Sequence, residues 1–443
     1  MQLVQQILFL VLVIGASFMF YKKAKTIYRN IMLGKDFEVD GDSSLRWKNV
    51  LLLAFGQKKM FKKMTPAVLH FFVYAGFVII NIEVLEIVLD GVFGTHRMFA
   101  PLLGSFYPIL IGIFEVLALL VLVSCAIFLV RRNVLKIKRL VQGELDGWPK
   151  TDANLILCTE IILMFALLSM NAADYQLQQL GAEHYHQTGK FWVSGFLTPM
   201  FEGWSEGSLL AYERGAWWFH IIGIFAFLNY LPYSKHLHIV LAFPNAYYLP
   251  LKPAGEMRNM QDIQNEVLYM MEPDKAPTEA PVSDVEPRFG AKDVMDLSWK
   301  NLLDAYACTE CGRCTSSCPA NITGKKLSPR YIMMATRDRA EDVGKILDAN
   351  NNEFVADGKT LLHDYISVEE LRACTSCNAC VEACPVSINP LSIITELRRN
   401  LVMEESNAPQ EWNMMFGNIE NNMAPWKFSP DDRDQWVSDL QNN

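Results

Sequence analysis

Cys308-Thr309-Glu310-Cys311-Gly312-Arg313-Cys314-Thr315-Ser316-Ser317-Cys318-Pro319 is the stretch whose spacing dictates the fold around it. The same pattern returns at Cys374, Cys377, Cys380, Cys384 and Pro385. Three closely spaced thiolates wrap three corners of an iron–sulfur cubane, and the fourth, carried off on the following segment, reaches the other cluster. The spacing therefore predicts two [4Fe–4S] sites with crossed ligands. One takes Cys308, Cys311, Cys314 and Cys384, and the other takes Cys374, Cys377, Cys380 and Cys318. Pro319 and Pro385 turn the chain away after each fourth ligand, because a helix does not run unbroken through proline. Structural zinc also uses four cysteines, but it pairs two CxxC knuckles and leaves no third Cys at the same spacing. Two complete copies favour iron–sulfur, and such thiolate centres need a reducing compartment.

Away from these motifs the chain changes character. Of the ten cysteines only Cys125 and Cys158 lie elsewhere, both in an apolar N-terminal half, where they read as small buried residues. The net charge of −8 and the absence of a basic stripe argue against a nucleic-acid partner. Nothing resembles a nucleotide loop or an H-E-x-x-H site. Five apolar runs, 3–20, 65–89, 107–130, 154–172 and 216–240, approach the ~20 residues that cross a bilayer as helix. The first is followed, not preceded, by positive charge, so it reads as an uncleaved helix with its N-terminus outside. Lys58, Lys59, Lys62 and Lys63, then Arg131, Arg132, Lys136, Lys138 and Arg139, follow the first and third runs, while acids follow the fourth. The positive-inside rule then puts the C-terminal part in the cytoplasm. Residues 47–60 read either as an amphipathic surface helix or as a polar loop.

The expected fold is thus an all-α membrane domain of five transmembrane helices, followed by a mainly α-helical ferredoxin-like 4Fe–4S dicluster domain. The expected boundaries are 1–250 for the membrane domain, 251–290 for a proline-rich linker, 291–405 for the dicluster domain and 406–443 for a partner-docking tail. Histidine supplies the next signal, since only eight occur. On one continuous helix His220 and His238 would face the same way about 27 Å apart. His70, one turn into the second span, matches the depth of His238, and the two could clamp one heme b iron. His220 marks a possible second heme. His236 would fall on the opposite face. Asn81, Glu115 and His220 lie at comparable depths and form a candidate quinone pocket, with Glu115 relaying protons. Glu83 and Glu86, nearer the outer helix end, read as hydrated, and Glu160 as a charge in hydrocarbon.

At these residues the chain resembles the membrane-bound iron–sulfur oxidoreductases related to heterodisulfide reductase, with an N-terminal half similar to the heme b subunit of respiratory nitrate reductase. The resemblance rests on Gly56-Gln57-Lys58-Lys59, Leu69-His70-Phe71 and Arg131-Arg132. It continues in Trp217-Trp218-Phe219-His220 with Pro232-Tyr233-Ser234-Lys235-His236-Leu237-His238, and in Thr323-Gly324-Lys325-Lys326-Leu327-Ser328-Pro329 beside the cysteines. The nitrate-reductase-type subunit has two histidines on its second span, whereas this chain has only His70 there. The resemblance implies an electron-transfer subunit of a quinone-linked oxidoreductase in the bacterial cytoplasmic membrane, with menaquinone as substrate. It also implies a separate CCG-domain iron–sulfur protein or a flavoprotein as partner, docked on the tail through Trp412, Trp426 and Trp436. A reading of another class is a membrane-anchored redox sensor, or an anchor subunit whose clusters are structural.

Overall fold

The computed structural model describes residues 2–39, 41–253, 255–277, 288–427 and 429–442. Among them helices dominate, and the only β-pairing is two isolated bridges, Lys35 with Ser298 and Leu362 with Ile366. Residues 278–287 of the expected linker lie outside the described residues. Just before them stand a short helix, Gln261–Met271, and a single turn, Pro273–Lys275.

Among the described residues four helices are long and apolar enough to cross a membrane: Leu3–Ile31, Met64–Phe93, Phe99–Val134 and Trp148–Leu180. We label their regular cores α1 (Gln2–Ile31), α2 (Met64–Phe93), α3 (Tyr107–Leu129) and α4 (Trp148–Leu180). Their ends follow local chemistry. Gly94 and Gly181 close α2 and α4 in the left-handed conformation that glycine adopts without penalty. Pro108 and Pro149 open α3 and α4 at first-turn positions, where no amide hydrogen is needed. Half of the most apolar stretch of α4 is buried against 11% of that of α1, so α4 forms the centre of the bundle and α1 its periphery. Leu8, Val11, Ile14 and Phe18 of α1 and Phe77, Ile82 and Leu85 of α2 remain exposed. Apolar patches of that size on a bundle surface belong against lipid.

The expected fifth span, 216–240, is not one helix. α5 (Glu206–Tyr230), capped by Ser205, packs along α4 and α1 and stops at Tyr230. Proline 232 and an extended Ser234 follow, each with a single tight turn, before α6 (His238–Tyr247) begins. Proline lacks the amide hydrogen that a continuing helix requires. With Glu213 and Arg214 also in its length, α5 is not among the helices that meet the apolar-length test. The phase argument that put His220 and His238 on one face, and His236 opposite, therefore fails. Residues 47–60 are also resolved: a helix Ser43–Asn49 runs into a wide π-turn at Val50–Phe55, with Trp47 against Tyr247.

The C-terminal domain packs α7 (Trp299–Tyr306), α8 (Pro329–Ala349) and α9 (Pro390–Met403) around a core that includes Leu302, Ile332, Ile393 and Leu397. A capping box between Ser298 and Asn301 starts α7, and Ser328 caps α8. Arg339 of α8 is fully buried, but its guanidinium is shared between Asp293 and Asp357, which satisfies the charge. This domain sits directly on the bundle. The C-terminal end of α1 pairs Arg29 with Asp348 and donates from Asn30 to Tyr306 Oη at 3.1 Å. Gly344 of α8 is required there, since a Cβ would stand 2.6 Å from the Asn30 side-chain nitrogen. The tail forms a helix at Gln410–Asn422 and another at Gln435–Gln441, and Trp412, Trp426 and Trp436 are exposed.

Candidate metal centres and the histidine pair

Each cysteine motif begins on a helix end and delivers its thiols from a tight loop. In the first, Glu310 and Gly312 adopt positive φ, bending the chain around the space that Cys308, Cys311 and Cys314 enclose. Gly312 cannot be replaced cheaply, because a Cβ would lie 2.6 Å from Arg330 Nη1 and 2.9 Å from the Arg139 carbonyl. In the second motif Ser376 and Asn378 take the corresponding positions at positive φ. A short helix, Arg313–Ser317, leads to Cys318, and its counterpart, Ala379–Ala383, leads to Cys384. These two helices pack on each other, so each fourth cysteine reaches the opposite loop.

The result is two cages with the crossed membership expected from the spacing. Cys308, Cys311, Cys314 and Cys384 line one cavity. Cys318, Cys374, Cys377 and Cys380 line the other. Burial, aided by the neighbouring thiols, pushes Cys308, Cys380 and Cys384 up to about 12. Such thiols ionise on ligation and not by themselves, as a thiolate-ligated metal centre requires. The sulfur-only donor set fits iron–sulfur clusters, and the four thiols of each cage would hold one.

The first cage abuts the bundle. Arg139, just past α3, donates to the Cys311 carbonyl. Arg330 lines the cage, is completely buried, and donates through Nη1 to the Arg139 carbonyl at 2.7 Å and through Nη2 to Glu144 Oε1 at 2.7 Å. Glu310, between two of the thiols, is 3% exposed in its side chain and forms an ion pair with Lys235. Burial alone would raise the Glu310 carboxyl, but Lys235 and Arg337 together hold it below the usual carboxylate range.

His70 on α2 and His238 at the start of α6 converge beside this cage, with ring centroids 6.4 Å apart. A ring nitrogen binds a metal at about 2 Å, so imidazoles on opposite sides of one ion have centroids about 6 Å apart. His70 Nδ1 bonds Gln57 Oε1 at 3.1 Å and His238 Nδ1 bonds the Lys235 carbonyl at 3.0 Å, leaving Nε2 of each for a metal. A hydrogen bond on the far ring nitrogen fixes the tautomer and orientation of a ligand imidazole. Sequence reasoning passed over Gln57 and Lys235 as functional groups, although both lie within the quoted motifs. His236, freed by the helix break, has its ring 5.6 Å from that of His238.

The remaining expectations fare differently. His220 is buried, and its Nδ1 has no hydrogen-bond partner. Asn81 is exposed and spends its amide on the Phe77 carbonyl of its own helix, a bond that a lone polar group facing lipid makes for want of another. Glu115 accepts from the Val193 amide at 2.9 Å, the Ser194 amide at 3.4 Å and Asn171 Nδ2 at 3.4 Å, tying α3 to α4 and to the 193–194 loop. Asn81, Glu115 and His220 share no hydrogen bond with one another among the described residues. Cys158 is exposed, not buried, whereas Cys125 is buried as expected. Glu83 and Glu86, read as hydrated, are both 3% exposed, because the 94–98 loop folds over the end of α2.

Comparison with known proteins bears on this geometry. Residues 307–388 match the model of the 4Fe-4S dicluster domain. The chain is similar to the probable iron-sulfur-binding oxidoreductase FadF of Bacillus subtilis (strain 168), with 26% identity over 461 residues, 97% of this chain and 60% of that protein. It is also similar to the EtfAB:quinone oxidoreductase of Syntrophomonas wolfei subsp. wolfei, with 27% identity over 417 residues, 88% of this chain and 53% of that protein. A shorter match is to a probable membrane-anchored ferredoxin of Chromohalobacter salexigens, 31% identical over 174 residues, 36% of this chain and 26% of that protein. The chain spans between half and about three fifths of the length of the first two relatives. No solved structure matches it. The chain therefore joins a 4Fe–4S dicluster domain, with both cysteine cages formed, to a bundle that contains four membrane-length apolar helices.

Proposed function

We propose that this protein carries electrons between a redox partner on the side of the cysteine domain and menaquinone in the membrane, using two [4Fe–4S] clusters and one heme b. When bound, the clusters and the heme supply one-electron transfer. The chain's own residues hold these groups in line. Cys374, Cys377, Cys380 and Cys318 would hold the cluster that faces outward, Cys308, Cys311, Cys314 and Cys384 the one beside the bundle, and His70 and His238 the heme. The orphan Nδ1 makes His220 the residue a second heme would use. The name of one similar protein, an EtfAB:quinone oxidoreductase, supports quinone chemistry and an electron-transfer flavoprotein as partner, with a CCG-type iron–sulfur protein as the other candidate.

One observation carries this reading: each histidine is oriented from a short segment that also bonds the first cysteine loop. Gln57 positions His70, and two residues further on the Lys59 carbonyl, with that of Met60, accepts from Arg313 at 3.4 and 3.2 Å. Lys235 positions His238 with its carbonyl and binds Glu310 with its ammonium. A pair of hydrogen-bonded structural histidines would have no need of links to a metal-binding loop. The alternation of helix ends supports α5 as a fifth membrane crossing: the C-terminal end of α1, the N-terminal end of α4 and the C-terminal end of α5 all meet at the cysteine-domain side. With the basic 131–139 segment there, that side is the cytoplasm.

The test is reduction of membranes containing the protein by a menaquinol analogue, followed by heme absorbance. His70→Ala and His238→Ala should each abolish the heme band while the iron–sulfur signals persist. A heme-free preparation with normal clusters and normal electron transfer would refute the role of this pair.

A further inference from the structure

The end of the bundle remote from the cysteines buries a cluster of carboxyl groups that the reading above leaves unused. Glu83, Glu86 and Asp90 project from α2, Glu115 from α3 and Asp174 from α4, and all five are buried. One buried guanidinium, Arg97, serves them, its backbone held at φ 53° by the loop. Five carboxylates and one arginine do not balance in a water-poor interior, where an uncompensated charge is costly.

Donor accounting shows where the imbalance falls. Asp90 accepts from Thr95 Oγ1 at 2.6 Å and from the amides of Arg97 and Met98 at 2.8 and 3.1 Å. Asp174 accepts from Arg97 Nε at 2.7 Å and Gln178 Nε2 at 3.0 Å. Glu86 takes the Phe99 amide and the Tyr107 hydroxyl, each at 2.8 Å. Glu115 has the three donors already described. Glu83 differs, because its Oε2 is buried and has no partner. The charges that face it are Arg97, Glu86 and Glu115, and Asn171 offers the carboxyl group a side-chain hydrogen bond that leaves Oε2 unserved. Arg97 is already divided among Asp174, Asn171 and Tyr107. Among the described residues the neighbouring helices bring no further unpaired cation: Gln6 of α1 is neutral and bonds the Val92 carbonyl, and Arg214 of α5 is paired with Glu213.

We propose that Glu83 holds a proton in the resting protein and exchanges it with the medium through the polar network that surfaces at His96. A carboxylic acid is neutral, and its hydroxyl can donate where the carboxylate oxygen finds no donor. The network runs from Arg97 and Asn171 to Asp174 and on to His96, whose Nε2 is 3.7 Å from Asp174 and whose side chain is 20% exposed. Use of this proton rests on the quinone reading. A quinone that gains two electrons from the reduced partner needs two protons to become quinol. Glu83 gives one of them, becomes a carboxylate, and regains a proton from the medium, while the second comes from the medium directly. In the opposite direction Glu83 first releases its resting proton to the medium, then as carboxylate takes one of the two protons that quinol loses with its two electrons, while the other passes to the medium.

Infrared spectroscopy of the full chain in lipid tests the idea without assaying turnover. The wild type should show a carboxylic C=O band that shifts in D2O. Glu83→Gln should remove it, Glu83→Asp should move it, and Glu86→Gln should leave it in place. His96→Ala should slow its deuterium exchange several-fold. An unchanged band in a folded Glu83→Gln protein overturns the assignment. A band that Glu83→Gln removes, but that does not respond to a menaquinol analogue in protein whose heme is reduced by it, overturns the coupling to the quinone and leaves the quinone reading intact. Failure of heme reduction with the Glu83 band present counts against the quinone reading alone.

Discussion

The two cysteine cages are near copies in sequence and opposites in setting. The first is pressed against the bundle, lined by the buried Arg330, and tied to the membrane loops through Arg139 and a buried Lys235–Glu310 pair. The second has no charged residue in its lining, presents an exposed Cys377, and meets the bundle at its edge, through the well exposed Lys62–Glu382 pair and a long Gln142–Asn321 bond. A repeated ligand motif therefore does not imply a repeated role. Surroundings set the behaviour of a cluster as much as its ligands do, through net charge, hydrogen bonding and solvent access. The buried cage suits exchange with the histidine pair, and the open cage suits exchange with a soluble partner.

The largest effect should come from uncrossing the ligands. Cys384→Ser should cost the cluster nucleated by Cys308, and Cys318→Ser the one nucleated by Cys374, each halving an iron content of about eight per chain before heme is counted. Loss of the cluster on the same motif as the substitution, seen by electron paramagnetic resonance, would break the comparison at its root. Metal removal should sharpen it next. A chelator under mild oxidation should strip the cage with exposed Cys377 several-fold faster than the buried one, and equal rates would mean that the two cages are equally accessible.

The links to the bundle should differ too. Lys235→Met leaves the buried Glu310 with Arg337 alone, a defect that costs about 2 kcal/mol, less than a fully unpaired buried charge, so thermal unfolding should begin earlier while the heme spectrum stays, because the backbone carbonyl that holds His238 is retained. Lys62→Met removes an exposed pair and should change stability by about 1 kcal/mol or less. If the two substitutions proved equal, the contrast between a clamped cage and a free one would fail. The exposed Trp426 belongs to the same comparison: Trp426→Ala should leave stability within about 0.5 kcal/mol while weakening capture of a redox partner.

The cysteine cages were legible in the residues alone, because ligand spacing dictates which thiols share a cluster and the pattern has few alternatives. Four apolar spans were legible for a similar reason: a hydrophobic run of membrane length has few other uses. The depth match of His70 with His238 was also readable, although the argument by helical phase was not sound. Pro232 and Ser234 break the helix, and the two histidines meet because α6 starts anew against the cysteine domain. The carboxyl cluster was misread for a reason that composition does not reveal. Distance from a helix end suggested hydration for Glu83, whereas it is buried beside the loop that carries Arg97, and the bonds that Glu115 accepts from the 193–194 amides were not readable from spacing. Local spacing and hydropathy determined which atoms could bind metal and which segments could cross lipid. The tertiary structure alone decided which polar groups find partners, because hydrogen bonds and ion pairs depend on distances of a few ångströms between segments far apart in the chain.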